Sequence, residues 1–451
     1  MKSKRELPGL KNAVVIPRNS HSISRKEIGP NALKVLNRLT DNGSHAYIVG
    51  GGVRDLLIGK KPKDFDIATN ATPEEVRKLF KNSRIIGRRF KIVHIRFGRE
   101  IIEVTTFRAN HSPENRIPKQ ASLRHTRNID SAYSKAGMIL RDNVYGNIDQ
   151  DAMRRDFTVN ALYYTTQNFE LLDFCGGLND LKKKQIRIIG DPIERYKEDP
   201  VRMLRAIRFS AKLDFEIEEK TNKPINEYSY LLDSVSPARL FDEALKLMTN
   251  GFAQRTFALL RKYQLGNHLF APTLEALEQG DSHSAKLVDL ALKNTDQRLV
   301  AGKSVTPAFL FAALLWPALQ LNLIRSKNQS LNSQQAFQRA AHATITKQLD
   351  FTAIPKRFTA ASKEIWSLQV KLQNRKKKSI ETIYNHPRFR AAYDFLLLRE
   401  ESGERLENAG EWWTEFQNGD KKLRIELIAS LTKPNKQHSR RSKRNLSGGS
   451  E

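Results

Sequence analysis

The stretch AYIVGGGVRDLLIGKKPKDFDIATN, residues 46–70, leaves few ways for the chain to fold. An apolar run meets three glycines, a short helix-forming segment follows, and a second apolar run opens on two aspartates one residue apart. That pattern predicts strand, glycine turn, helix, strand. Upstream, PNALKVLNRLTDNG repeats leucine every third residue and stops at Gly43, which predicts a helix. Downstream, TPEEVRKLF is a helix capped by Thr72 with Pro73 at its first position, and FKIVHIRFG and IIEVTTFRA are strands joined by GRE. Strand, helix, strand, helix and hairpin make a small α/β domain whose sheet is mixed rather than wholly parallel.

Side chains two apart on a strand share a face, so Asp64 and Asp66 present adjacent carboxylates while Phe65 and Ile67 turn to the core. Two readings of this pair stand side by side. D-x-D is common in polar turns, with Glu103 of IIEVTTF then an exposed edge residue. Alternatively, the like charges are held together by a divalent cation, for which magnesium with its oxygen ligands is suited. With Glu103 on a neighbouring strand, three carboxylates could hold two metals about 4 Å apart. Gly50, Gly51 and Gly52 end the preceding strand, where backbone N–H groups can approach a triphosphate, with Arg54 one short turn later. The Walker pattern G-x-x-x-x-G-K-[ST] is absent from the sequence.

Lysine and arginine number 77 against 49 acids, a formal charge of +28, so a polyanion is the expected partner and nucleic acid the first candidate. Cys175 is the sole cysteine and no zinc-ligand spacing occurs, which fits a reducing compartment. The N-terminal segment lacks a continuous apolar h-region, so no secretory signal is expected. The most apolar stretch, Val305 to Leu321, falls short of the ~20 residues of a membrane span and contains Pro307 and Pro317; it reads as a buried helix. Residues 108–141 form a long polar segment, the chain is mostly helical from about residue 195, and the last twenty residues are polar and basic.

The order GG-x-VRD then D-F-D resembles the head of the class II nucleotidyltransferases, the family of bacterial poly(A) polymerases and tRNA CCA-adding enzymes. The resemblance continues for roughly 220 residues. RRDFTVNALYY (154–164) is similar to its ribose-binding segment, LLDFCGGLNDLKKKQIRIIGDP to its head-to-neck connection, EDPVRMLRAIRF (198–209) to its base-reading helix, and SPARLFDEALKLM to the helix after it. It implies an α+β chain: a basic N-terminal arm (1–28), a small mixed-sheet nucleotidyltransferase head (29–170), a helical neck with the base-reading helix (171–255), a helical RNA-binding body (256–430) and a basic disordered tail (431–451).

By this resemblance Asp64, Asp66 and Glu103 are the catalytic, metal-binding acids for two Mg²⁺ ions, and Gly50, Gly51, Gly52, Arg54, Arg154, Arg155, Asp156, Asn160, Asp199 and Arg202 bind the nucleotide. Arg154 and Arg155 can neutralise phosphate, and Asp156 can accept from a ribose 2′-OH, with Asn160 one helical turn later on the same face; a surface salt bridge is the alternative for this segment. Asp199 can cap a helix that starts at Pro200. Asp199 and Arg202, three apart, also offer an acceptor beside a fork of donors. That pair complements the N6/N1 edge of adenine and the N4/N3 edge of cytosine but not guanine or uracil, and by itself does not separate A from C. His94 reads as a structural strand histidine and stays outside the catalytic set.

Three features resemble the poly(A) polymerase branch rather than the CCA-adding one: Ile85–Gly98 with Arg88, Arg89 and Phe90, the 108–141 loop with LRDNVYGNIDQDAMRRDF, and the tail with Lys433, Lys436, Arg440, Arg441, Lys443 and Arg444. Arg88, Arg89 and the tail cations are the candidate RNA contacts, the tail reading equally as a solubilising terminus. The expected activity is template-independent transfer of AMP from ATP to RNA 3′ ends with release of pyrophosphate. CCA addition to tRNA and a non-catalytic RNA-binding relative are the alternatives. The family implies a cytoplasmic bacterial protein, no membrane, and association with RNA-decay proteins.

Overall fold

The computed structural model describes residues 12–87, 90–109, 131–133, 139–142, 144–280, 282–326 and 333–431. The chain divides into two compact units, 1–235 with 259–265, and 236–258 with 266–451. The first unit opens with β1 (Val14–Ile16), α1 (Pro30–Asp41), β2 (Ala46–Val49), α2 (Gly51–Leu57), β3 (Asp66–Thr69), α3 (Pro73–Leu79), β4 (Ser83–Ile86), β5 (Ile92–Phe97) and β6 (Glu100–Thr106). It continues with β7 (Ser131–Tyr133), β8 (Ile139–Asp142), α4 (Ile148–Arg154), β9 (Leu162–Tyr164), β10 (Leu171–Asp173), α5 (Gly177–Lys183), β11 (Gln185–Ile186), α6 (Pro192–Glu198), α7 (Val201–Leu213) and β12 (Glu216–Ile217).

Eight strands form one sheet in the order β1-β10-β9-β2-β3-β6-β5-β4. Only β3 and β6 run parallel, so the sheet is mixed as the sequence pattern requires. Alternation along the strands sorts side chains onto two faces. Tyr47, Val49 and Ala68 share a cluster with Ile148 and Ala152 of α4, whereas α1 buries Ala32, Val35, Leu36 and Leu39. Thr72 caps α3 and Pro73 takes its first turn as predicted, and Glu75 completes a capping box with Thr72.

Two divisions drawn from the sequence shift. Val14–Ile16, in the stretch read as a basic arm, is an edge strand paired with Leu171–Asp173, which lies past the expected head boundary at residue 170. Residues 171–235 fall in the same unit as the sheet. Phe157 bridges to Ile188, and the Arg195 Nη2 donates to the carbonyls of Arg154 and Arg155 at 2.6 and 2.7 Å, which fastens α6 to the end of α4.

The described part of the second unit is helical, with an aromatic core in which Phe389, Tyr393, Trp412, Trp413 and Phe416 pack together. The apolar stretch is two helices rather than one, Pro307–Leu314, largely buried, and Trp316–Ser326, buried over its first turn, bent by 45°. No single described helix is long and apolar enough to cross a membrane.

Candidate active site

Parallel pairing of β3 with β6 sets Asp66 directly opposite Glu103. Antiparallel pairing with β2 sets Val49 on the other side of Asp66, so the glycine turn after Val49 begins beside that carboxylate. Asp64 lies just before the strand, exposed, with Phe65 buried between the two aspartates. Burial, then Glu103, then Asp64 push the Asp66 carboxyl up to about 6, against the opposing pull of Arg155. The three acids therefore feel one another, and a divalent cation is the species that would relieve the strain. Among the described residues no three His, Cys, Asp or Glu side chains stand ready-formed as a metal cluster. The Glu103 carboxylate meets Nε2 of His94, its directly opposite neighbour on β5, at 3.2 Å. The donor set fits a hard cation through Asp64 and Asp66, with Glu103 held alongside by a histidine that sequence reasoning had set aside.

Gly50 takes φ +72°, a left-handed conformation that a side chain strains. A Cβ there would lie 3.8 Å from Asp66 Oδ2 and 3.7 Å from Arg155 Nη1, so the turn borders both the acids and a cation. Gly52 serves packing: a Cβ would come within 3.0 Å of the Phe65 ring. Gly51 opens α2 between them. Arg54 is not placed to meet a phosphate. The residue is 1% exposed; its guanidinium donates to Asp55 Oδ1 at 2.7 and 2.9 Å and to Asn160 Oδ1 at 2.5 Å, and lies 5.4 Å from the Phe209 ring centre.

The segment RRDFTVN leaves the helix that the sequence suggested. α4 ends at Arg154, Arg155 is extended, and Thr158–Asn160 is a separate turn of 3₁₀ helix. Asn160 still reaches Asp156, because the turn brings its Nδ2 to 3.3 Å from Asp156 Oδ1. Asp156 Oδ1 also accepts from the Phe157 N–H at 2.8 Å, and its Oδ2 faces Arg205 at 3.7 Å. A chain of contacts thus runs from Asp55 through Arg54 and Asn160 to Asp156. Arg155 is clamped by Asp151 Oδ2 at 3.1 Å and the Tyr163 hydroxyl at 2.7 Å, and Arg154 Nη1 donates to the Ala109 carbonyl.

Asp199 does not cap α7 with its side chain; it is the extended residue that separates α6 from α7, and Pro200 occupies the cap position. Asp199 and Arg202 are both buried, and Arg202 Nη1 is held by Glu198 Oε2 at 2.9 Å and the Arg195 carbonyl at 2.7 Å. Glu198 also receives Arg195 Nη1 at 2.7 Å. Burial and the nearby Arg202 lower the Arg195 guanidinium to about 10, the mark of cations crowded where an anion belongs.

Asp66, Glu103, Arg154, Arg155, Asp156, Asp199 and Arg202 line one cavity of about 290 Å³. Arg108, Arg195 and Arg205, which sequence reasoning missed, line it too, and the Arg108 guanidinium stacks 4.4 Å from the Phe90 ring centre. Arg205 was within reach of helical spacing, three residues after Arg202; Arg108 and Arg195 had no such signal. Gly50 borders Asp66 and Arg155 of this cavity, Asp64 acts on it through the charge of Asp66, and Arg54 is joined to Asp156 through Asn160. Arg88, Arg89 and the tail residues Lys433, Lys436, Arg440, Arg441, Lys443 and Arg444 lie outside the described residues.

Comparison with known proteins gives the same family from independent segments. Residues 46–187 match the family described as "Poly A polymerase head domain", 214–277 the "Probable RNA and SrmB- binding site of polymerase A", and 329–446 the "Polymerase A arginine-rich C-terminus". The chain is 48% identical over 408 residues to Poly(A) polymerase I of Escherichia coli O6:H1, covering 89% of this chain and 85% of that one. The chain belongs to the poly(A) polymerase family. Likeness to the CCA-adding enzyme of Lactobacillus helveticus is narrower, 36% identity over 55% of this chain and 57% of the other. The fold is shared with the crystal structure of the Bacillus stearothermophilus CCA-adding enzyme in complex with CTP, at a TM-score of 0.54, 22% identity and 90% coverage of each chain. Family membership makes the chain a nucleotidyltransferase acting on RNA and ATP.

Proposed function

We propose that this cavity transfers AMP from ATP to the 3′ end of RNA and releases pyrophosphate. The observation that carries the reading is the joining of two opposite chemistries in one 290 Å³ space: carboxylates on β3 and β6, and arginines from α4, α6 and α7. Asp64 and Asp66, with Glu103 alongside, would hold Mg²⁺, which when bound polarises the α-phosphate and favours the ionised 3′-hydroxyl. Arg154, Arg155 and the backbone of Gly50–Gly52 take the triphosphate charge, holding the α-phosphate in line with the attacking hydroxyl. Asp156, oriented by Asn160, accepts from the ribose 2′-OH. Asp199 and Arg202 read the base edge and reject guanine and uracil, which would leave buried polar groups unpaired.

CCA addition is the second reading, favoured by the shared fold and by a base-reading pair that complements cytosine as well as adenine. Incubation with ATP alone and with CTP alone, on an unstructured RNA and on a tRNA lacking its end, separates the two. Long A tails support the polymerase; short CTP-dependent products on tRNA support the other. The polymerase reading carries with it a cytoplasmic setting and association with RNA-decay proteins, and co-purification of such proteins from cells, sensitive or not to ribonuclease, tests the association.

A further inference from the structure

The second unit holds a groove of about 750 Å³ between the helices Ser282–Val300, Pro307–Leu314, Lys356–Asn374 and Phe389–Glu401. One wall, Ser282–Val300 and the loop after it, falls outside every segment that matches a family description. The floor is apolar: Ala291, Ala308, Ile365 and Leu398 are buried, and the half-buried Phe309 ring stands edge-on to Phe395 with centres 5.9 Å apart. Arg298, Lys303, Arg388 and Arg390 line it against only two acids, Asp394 and Glu401.

The cations are held loosely. Arg388 meets Glu364 at 3.1 Å and Arg390 meets Asp394 at 3.0 Å, with 49% and 73% of the two arginine side chains exposed, so a phosphate can displace either acid at little cost. Arg298 donates to the Ser304 carbonyl at 3.2 Å. The groove also receives the first turns of Pro307–Leu314 and Phe389–Glu401, and neither N-cap residue, Thr306 or Arg388, closes its helix with a side-chain hydrogen bond. Both helix ends therefore add to the positive potential of the rim.

We propose that this groove binds single-stranded RNA, with the backbone phosphates on the basic rim and bases against the apolar floor and Phe309. A positive track beside an aromatic ring is what sequence-independent single-strand binding requires. The choice of RNA over another polyanion rests on the reading of the chain as an RNA-tailing enzyme; an acidic peptide would match the charge but leave the ring and the floor unused.

The test uses the full chain without ATP, a labelled 20-nucleotide oligoadenylate, fluorescence anisotropy across a salt series, and polyglutamate as competitor. The double variant Lys303→Glu/Arg390→Glu should weaken RNA binding at least tenfold, and losing two phosphate contacts should flatten the log–log salt slope by about 1.4. Lys303→Gln/Arg390→Gln, which removes the charges without reversing them, should weaken binding by less and flatten the slope by the same amount, since the same two contacts are lost. Unaltered melting by circular dichroism establishes that the variants fold, and unaltered AMP transfer at saturating RNA establishes that the nucleotide site is intact. An oligoadenylate affinity and salt slope equal to those of the parent protein overturn the proposal. Loss of polyglutamate binding with RNA binding retained overturns it in favour of an acidic protein partner. Absence of AMP transfer in the parent protein would sink the functional reading while leaving the RNA measurement to stand or fall by itself.

Discussion

Asp66→Asn should make the metal-free protein more stable while abolishing its chemistry. Asp66 titrates at about 6 in the fold instead of 3.8, because burial and the charges of Glu103 and Asp64 resist its ionisation. A raised carboxylate means that the native state binds more protons than the unfolded chain between those two values, so stability is lost as pH climbs from about 4 to 6. Two pH units at 1.36 kcal/mol each give about 3 kcal/mol of destabilisation at pH 7.5. Asparagine keeps the size and removes the charge. For a unit of this size each kcal/mol moves Tm by about 2–4 °C, so the variant should melt roughly 6–12 °C higher in EDTA at pH 7.5. The gap should narrow to about half its free energy at pH 5 and close near pH 3, where both proteins are neutral at this position. Saturating Mg²⁺ should raise the parent by a comparable amount, about 2.7 kcal/mol at a hundred times Kd, and the variant by much less. Scanning calorimetry with and without EDTA measures all of this. A variant that melts at or below the parent in EDTA at pH 7.5 refutes the electrostatic reasoning.

Arg202→Ala should relax rejection of GTP by about 10–100-fold, the worth of a charged hydrogen bond left unmade, measured as the ratio of kcat/KM for ATP and GTP; an unchanged ratio removes Arg202 from base reading. Asn160→Ala breaks the link between Arg54 and Asp156, and the preference for ATP over dATP should fall about tenfold, which a competition assay reads directly. Equal loss for both nucleotides would make the link purely structural. His94→Ala frees the Glu103 carboxylate and should raise the half-saturating Mg²⁺ concentration by about 10–100-fold, whereas His94→Gln, which can still donate, should hold near the parent value; two identical Mg²⁺ titrations would return His94 to an ordinary strand residue.

Local patterns announced the parts of this site that depend on local geometry. Asp66 and Glu103 were legible because strand alternation alone decides which face they occupy, and parallel pairing then sets them opposite each other. Thr72, Pro73 and Glu75 start their helix as their spacing demands. What failed depended on partners distant in sequence. Arg54 looks like a phosphate ligand until Asn160, 106 residues later, closes over it. The edge strand Val14–Ile16 exists only because Leu171–Asp173 offers a free edge. The helical spacing of Asp156 and Asn160 puts them together for the wrong reason, since they are joined by a separate turn of 3₁₀ helix after the α-helix has ended and not by one continuous helix. The break at Leu315 is marked by Pro317, which a helix accepts in its first turn but not in its interior, so the apolar run splits where reading it as one buried helix carried it through.

The most direct test of the active-site assignment is AMP incorporation into a 20-nucleotide RNA by Asp64→Ala, an exposed position whose loss should not disturb the core. Transfer should drop to background while RNA affinity and melting behaviour stay at parent values. Tails made at the parent rate by that variant would contradict the account.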